Sequence, residues 1–216
     1  MDEEAPREPD AGADLGSANV SFEQLANGNF WPAERLAREY LGNGDDAGLA
    51  RAYATNPDLA VVCREGAAQI IIGVCFGWAS GEDASLQGIA VASHRAGRGI
   101  GSRLIRYFED ACRNHGCTRI SVGSAEGYVE HFYLKNGYRP IEFYVTLDHQ
   151  PTIKSLDGFD VLRTRKTNGR VQLNIRANGY DARQQDEIRR RLAAPEVNYI
   201  FETRLDGSPP PADRVG

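Results

Sequence analysis

The segment Ala96-Gly97-Arg98-Gly99-Ile100-Gly101-Ser102 constrains this chain more than any other. An apolar run, Leu86 to Val91, comes shortly before it, and a helical pattern, Leu104 to His115, follows directly. Strand, glycine-rich turn and helix in that order form a geometry that binds phosphate. Glycines carry no Cβ, so the backbone can approach an anion closely. The first N–H groups of a helix have no partner within the helix and point outward. The helix dipole adds partial positive charge at the same end.

Two familiar phosphate turns do not fit. A P-loop needs Lys-Ser or Lys-Thr directly after its second glycine, but Gly101 is followed by Ser102-Arg103. A dinucleotide fingerprint needs Gly-x-Gly-x-x-Gly; counted from Gly97 the third position is Ser102, and from Gly99 it is Leu104. What remains is Gly97-x-Gly99-x-Gly101 between a strand and a helix, which resembles the pyrophosphate loop of the GNAT N-acetyltransferase superfamily. A second segment, Gly127 to Tyr138, resembles that family's second coenzyme A helix through Phe132-Tyr133, Lys135 and Gly137-Tyr138. Between them Thr118 to Gly123 alternates with apolar Ile120 and Val122. The resemblance covers roughly residues 60–148, is weaker over 18–60, and does not extend past about 150.

That resemblance implies an α/β (α+β) GNAT acyltransferase fold, a mixed central sheet flanked by helices, here with a C-terminal hairpin–helix–strand extension. It also implies acetyl-coenzyme A as cosubstrate, no metal, and transfer of acetyl to a primary amine by direct attack in a ternary complex. The coenzyme-binding residues it points to are Ile89, Ala90 and Val91, paired with the pantetheine arm like an added strand, and the loop Ala96, Gly97, Arg98, Gly99, Ile100, Gly101 and Ser102. Tyr133 matches the tyrosine that lies near the coenzyme sulphur and is the candidate general acid. Two positions depart from the family pattern. Ala96 stands where Arg or Gln is usual, so Arg95 or Arg98 would supply charge, and Glu126 stands where Asn is common.

Acetyl transfer needs a neutral amine, a backbone N–H facing the thioester oxygen, and a proton for the departing thiolate. The resemblance implies an N–H near Val91 for the second role. For the base, the resemblance points to an acidic residue on the strand entering the site, which reads Asp83-Ala84-Ser85-Leu86-Gln87-Gly88; Asp83 shares a face with Ser85 and Gln87 by alternation. Asp83 is therefore the candidate base, with Glu82, Glu126, His94, His131 and a water chain to a distant carboxylate as rivals. The departures leave open a second class, a non-catalytic acyl-coenzyme A binding or regulatory module.

Composition bounds the rest. A chain of 216 residues suits one domain with an appendage, and a net charge of −5 argues against nucleic acid as partner. The N-terminus lacks the apolar segment of a signal peptide, and the run Ile70 to Ala79 is too short to span a bilayer. No membrane partner and a cytoplasmic setting are therefore expected. The partner is a small-molecule or protein amine, and a homodimer is open. Cys63, Cys75, Cys112 and Cys117 form no Cys-x-x-Cys pair and read as small buried hydrophobes.

The chain divides into an acidic tail expected to be disordered (1–17), an acetyltransferase domain (18–150), a ββαβ extension (151–206) and a loose end (207–216). In the domain, strands are expected at Val20–Leu25, Leu59–Arg64 and Ile70–Ala79, and helices at Pro32–Leu41 and Ala47–Ala54. The helix after the glycine turn carries one apolar stripe, Leu104, Ile105, Phe108, Ala111 and Cys112, with Gly116 as a left-handed stop. In the extension, Asn168-Gly169 joins Phe159–Thr167 to Arg170–Ile175 as a hairpin. Asp181 precedes a helix over Ala182–Leu192, with Gln184 placed as in a capping box, and Asn198–Leu205 reads as a final strand. That extension is expected to supply the last core strand, cover the acceptor groove or form an oligomer interface.

Overall fold

Hydrophobic alternation and one long amphipathic helix build most of the molecule. The computed structural model describes residues 20–41, 48–124 and 128–207. The expected disordered tail, the residues beyond 207, Ala47 and Glu126 lie outside the described residues.

The strands are β1 (Val20–Gln24), β2 (Ala60–Glu65), β3 (Ile70–Ser80), β4 (Asp83–Val91), β5 (Arg119–Gly123), β6 (Arg139–Leu147), β7 (Val161–Thr167), β8 (Arg170–Arg176) and β9 (Glu196–Arg204). The helices are α1 (Phe30–Leu41), α2 (Gly48–Thr55), α3 (Ile100–Asn114), α4 (Tyr128–Lys135), the single turn α5 (Ile153–Leu156) and α6 (Ala182–Leu192). The described strands form one nine-stranded sheet in the order β1-β2-β3-β4-β5-β9-β6-β8-β7. Pairing is antiparallel throughout except for β4 with β5, where α3 carries the chain back to start a parallel neighbour. This is the mixed, mostly antiparallel sheet flanked by helices that the sequence implies.

Neighbouring residues of β3 face opposite sides of the sheet, and the two sides carry different helices. Gly77 faces α3, where an added Cβ would lie 2.7 Å from the Phe108 ring. Phe76 faces α1 and α2, and a Cβ at Gly88 on β4 would lie 2.6 Å both from Phe76 and from Leu41 of α1. The glycines let helices and sheet approach closely. On α3, Leu104, Ile105, Phe108 and Cys112 are fully buried, as the stripe requires, and Gly116 stops the helix at φ 92°. All four cysteines are buried and free.

The extension is woven into the sheet. β9 pairs with β5 on one side and with β6 on the other. It places Val197, Tyr199 and Phe201 in the core without exposure. The boundary expected at residue 150 therefore falls within one sheet. The Asn168-Gly169 turn has φ 51° and 77°, both positive as a tight hairpin turn demands. Asp181 caps α6 by accepting from the Arg183 N–H at 2.9 Å. The capping box does not close: Gln184 Oε1 accepts from Asn178 N, and the Asp181 N–H donates to the Tyr199 hydroxyl instead. A tertiary acceptor has displaced the local one. The turn α5 has no sequence periodicity and was not legible. No helix among the described residues is long and apolar enough to cross a membrane.

Candidate active site

The site begins where a strand pair comes apart. The β4–β5 ladder covers Asp83 to Ser85 against Arg119 to Ser121, whereas β4 pairs with β3 all the way to Val91. From Leu86 to Val91 the edge of β4 facing β5 has no strand beside it among the described residues. A bulge marks the point of divergence: Phe76 pairs with Gly88 and Gly77 with Leu86, which leaves Gln87 as the extra residue. A bulge bends its strand and increases local twist. It also reverses the parity of the strand. Leu86 lies on the α3 side with Gly77, and Gly88 on the α1 and α2 side with Phe76.

The glycine turn closes the end of this wedge. Gly97 and Gly99 have φ 74° and 73°, left-handed values that disfavour any side chain, and the space where their Cβ atoms would sit is open. No side chain caps α3, and its first backbone bond runs from Arg103 N to Gly99 O at 3.1 Å. The N–H groups before Arg103 therefore point out of the helix end. At Gly101 a Cβ would stand 3.2 Å from the Phe132 ring, so this glycine lets α4 close against α3.

Between these parts lies a cavity of about 330 Å³, lined by Ile89, Val91, Arg95, Ala96, Gly97, Gly99, Ile100, Gly101, Ser102, Val129, Phe132 and Lys135. Uncapped amides, open left-handed glycines and a lysine at the rim fit a phosphate-bearing chain. Arg95 is tied by Glu65, with bonds of 2.9 and 2.7 Å to one carboxylate oxygen. Its charge is thus partly neutralised, and Lys135 is the cation the sequence reading did not assign to this ligand.

The sequence candidates separate into two sets. Eight of them, Ile89, Val91, Ala96, Gly97, Gly99, Ile100, Gly101 and Ser102, line the cavity. Ala90 is buried, opposite Val74 of β3, and Arg98 is exposed. Tyr133 is 4% exposed, packed against Phe132, Tyr138 and Phe201 at 5.5 to 5.8 Å between ring centroids. Phe132 faces the cavity in its place.

Asp83 stands apart from the cavity lining. It sits at the closed end of the β4–β5 pair, where Arg119 grips both carboxylate oxygens at 2.7 and 2.9 Å. At about 3.3 Å per residue, Val91 lies roughly 25 Å farther along the strand. Alternation placed Asp83 on a face but not at a depth.

A buried carboxylate that the sequence reading missed is Glu130 of α4, 3% exposed. Its Oε1 accepts from Ser124 Oγ at 3.1 Å and its Oε2 from the Tyr180 hydroxyl at 2.9 Å. Nothing local signals this contact, since Tyr180 comes from the extension. Burial, followed by Glu130 itself, raises the Tyr180 phenol above its ordinary pKa, so it stays a donor.

The model of the acetyltransferase (GNAT) domain matches residues 56–140. No curated protein matches the chain. Among solved structures the chain is similar to Ard1 from Thermoplasma volcanium, at 15% identity and a TM-score of 0.51, covering 73% of this chain and 96% of that one. It is similar also to the ribosomal-protein-S18-alanine N-acetyltransferase from Escherichia coli, at 10% identity and a TM-score of 0.50, covering 89% and 98%. At such identities the likeness is one of fold. The match over residues 56–140, the stretch that holds the parted strands and the glycine turn, marks that segment as a GNAT acetyltransferase domain.

Proposed function

We propose that the protein is an acetyl-coenzyme A-dependent N-acetyltransferase, moving acetyl to a primary amine by direct attack in a ternary complex. The observation that carries this reading is the unpaired β4 edge from Leu86 to Val91, leading to an uncapped, glycine-lined helix N-terminus. Acetyl-coenzyme A supplies an activated thioester and a phosphate-bearing tail. The turn from Gly97 to Ser102 holds the phosphates through backbone N–H groups, and Lys135 adds charge across the cavity. The free edge around Ile89 to Val91 offers N–H and C=O groups to the amide-bearing arm, as an edge strand offers them to an added strand. A backbone N–H of the same stretch polarises the thioester carbonyl.

Tyr133, three residues after Glu130 on the same face of α4, is the proposed donor of the thiolate's proton; the N–C bond forms as the C–S bond breaks, and the proton lost by the amine passes to solvent, from which the phenol is restored on product release. Its burial keeps bulk water away from that transfer. Holding amine and thioester in one cleft supplies a large part of the rate without a covalent intermediate on the protein.

The test is a pair of measurements on the full chain: calorimetry with coenzyme A, and thiol release from acetyl-coenzyme A across a panel of amines. Tight binding with amine-stimulated release is the expected result. Binding without release for any amine would favour the non-catalytic module, and no binding would overturn the site.

A further inference from the structure

A second groove, of about 640 Å³, lies on the polar face of β6, β7 and β8. Its floor carries Tyr144, Gln172 and Asn174, and its rim Arg163 and Arg165. Paired residues of neighbouring strands share a face. The register runs from Ser85 to Ser121, and then from Asn198 on β9 to Tyr144, Asn174 and Arg163. Ser121 pairs with Glu202, which shares a face with Asn198. The groove therefore lies on the α1 and α2 side of the sheet, beyond β5 and β9 from the parted strands. Those helices pack on β2 to β4, and α6 packs on the opposite face.

The charge pattern singles out one residue. Arg163 is held by Glu142 at 3.0 Å, Arg170 by Asp148 at 2.9 Å, and Arg176 by Asp160 at 2.6 Å. Arg165, in the same hairpin, is exposed and has no carboxylate partner among the described residues. Glu142 is 7% exposed and also accepts from Asn174 at 2.8 Å, so the floor beside Arg165 is fixed. The groove thus offers one unspent guanidinium above amide and phenol groups suited to a peptide backbone.

Distance sets the kind of ligand. β6 and β8 lie three and four strands beyond β4. At about 4.8 Å per paired strand, and more across the parted β4 and β5, the groove is at least about 14–19 Å from the β4 edge. A small amine cannot occupy both places. An extended peptide advances about 3.4 Å per residue, so its fifth or sixth residue would reach the groove.

We propose that this groove seats the distal part of a peptide acceptor, and that Arg165 receives an acidic side chain about five residues from the amine. The proposal rests on the acetyl-transfer reading. It is tested by anisotropy, with coenzyme A present, using hexapeptides labelled at the C-terminus that carry glutamate or glutamine at their last two positions. At about 0.15 M salt, where loose surface attraction is screened, the acidic peptide should bind at least about fivefold more tightly. Arg165→Ala should abolish that preference and Arg165→Glu reverse it, with coenzyme A affinity unchanged as the check on folding. Moving the glutamates next to the amine should also remove the preference. Equal binding of the two peptides, or a preference that survives Arg165→Ala, would overturn the proposal and leave Arg165 as a charge guarding the β7 edge. Since binding is read without turnover, an Arg165-dependent preference with no acetylation would count against the transfer reading alone. Acetylation with no acidic preference would count against the groove alone.

Discussion

The Tyr180 hydroxyl donates to Glu130 Oε2 at 2.9 Å and ties α4 to the segment after residue 150. Ser124, at the end of β5, holds the other oxygen of the same carboxylate. Three separate stretches of chain thus meet at one buried charge. Removing Glu130 leaves two hydroxyls without an acceptor, whereas removing the Tyr180 hydroxyl leaves a carboxylate with one protein donor. Glu130→Ala should cost about 2–4 kcal/mol and the partly exposed Tyr180→Phe about 1–2 kcal/mol in denaturant unfolding. Full stability in both variants would show that the contact is incidental.

Tyr133→Phe preserves the ring that packs against Tyr138 and Phe201. If the hydroxyl protonates the departing thiolate, turnover should fall about 100-fold while coenzyme affinity stays within about twofold. Single-turnover kinetics with the responsive amine checks this. Equal turnover would assign Tyr133 to packing alone.

Gly99→Ala adds one methyl group at φ 73° into open space, so its cost is backbone strain and crowding of the turn. Gly99→Asp adds a negative charge at the same point. The alanine variant should weaken coenzyme A binding about tenfold and the aspartate variant about 100-fold or more by calorimetry. Unchanged affinity in both would remove the turn from the binding site.

Deleting residues 151–216 removes β9 from between β5 and β6, β8 and β7 from beyond β6, and nine buried apolar side chains, Val197, Tyr199 and Phe201 among them. What is left of β5 pairs with β4 over three residues. The truncated chain should lack a cooperative thermal transition. A soluble truncation with the original melting point would show that the sheet stands without its inserted strand.

Burial pushes the Cys63 thiol up to about 11 and raises Cys75, Cys112 and Cys117 as well. An unfolded thiol ionises near about 8.5. The folded state prefers the neutral form, so this contribution to stability is complete below that pH and is lost as pH rises toward 11. The melting temperature should therefore fall between about pH 8.5 and 11 for this reason. At neutral pH all four thiols should resist a thiol reagent until the protein is denatured. Rapid labelling of the folded protein would contradict the burial.

The sequence by itself determined what local chemistry can decide. Three glycines at alternate positions favour the turn from Gly97 to Gly101, since two of them take left-handed φ values that disfavour side chains. A 3.6-residue stripe makes α3, and Asn168-Gly169 makes the last hairpin, whatever surrounds them. The coenzyme loop was legible for that reason, because its ligands are backbone groups of one continuous segment. Tertiary structure decided which strand lies beside which. The insertion of β9 between β5 and β6 is a choice among edges that present the same hydrogen-bonding groups. The same holds for single side chains. Asp83 alternates correctly but lies at the closed end of β4 against Arg119, while Glu130 finds Tyr180 across fifty residues of sequence. Local pattern specifies the direction in which a side chain points. The partner it meets there depends on how separate segments pack, because burying their apolar faces together is a property of the whole sheet.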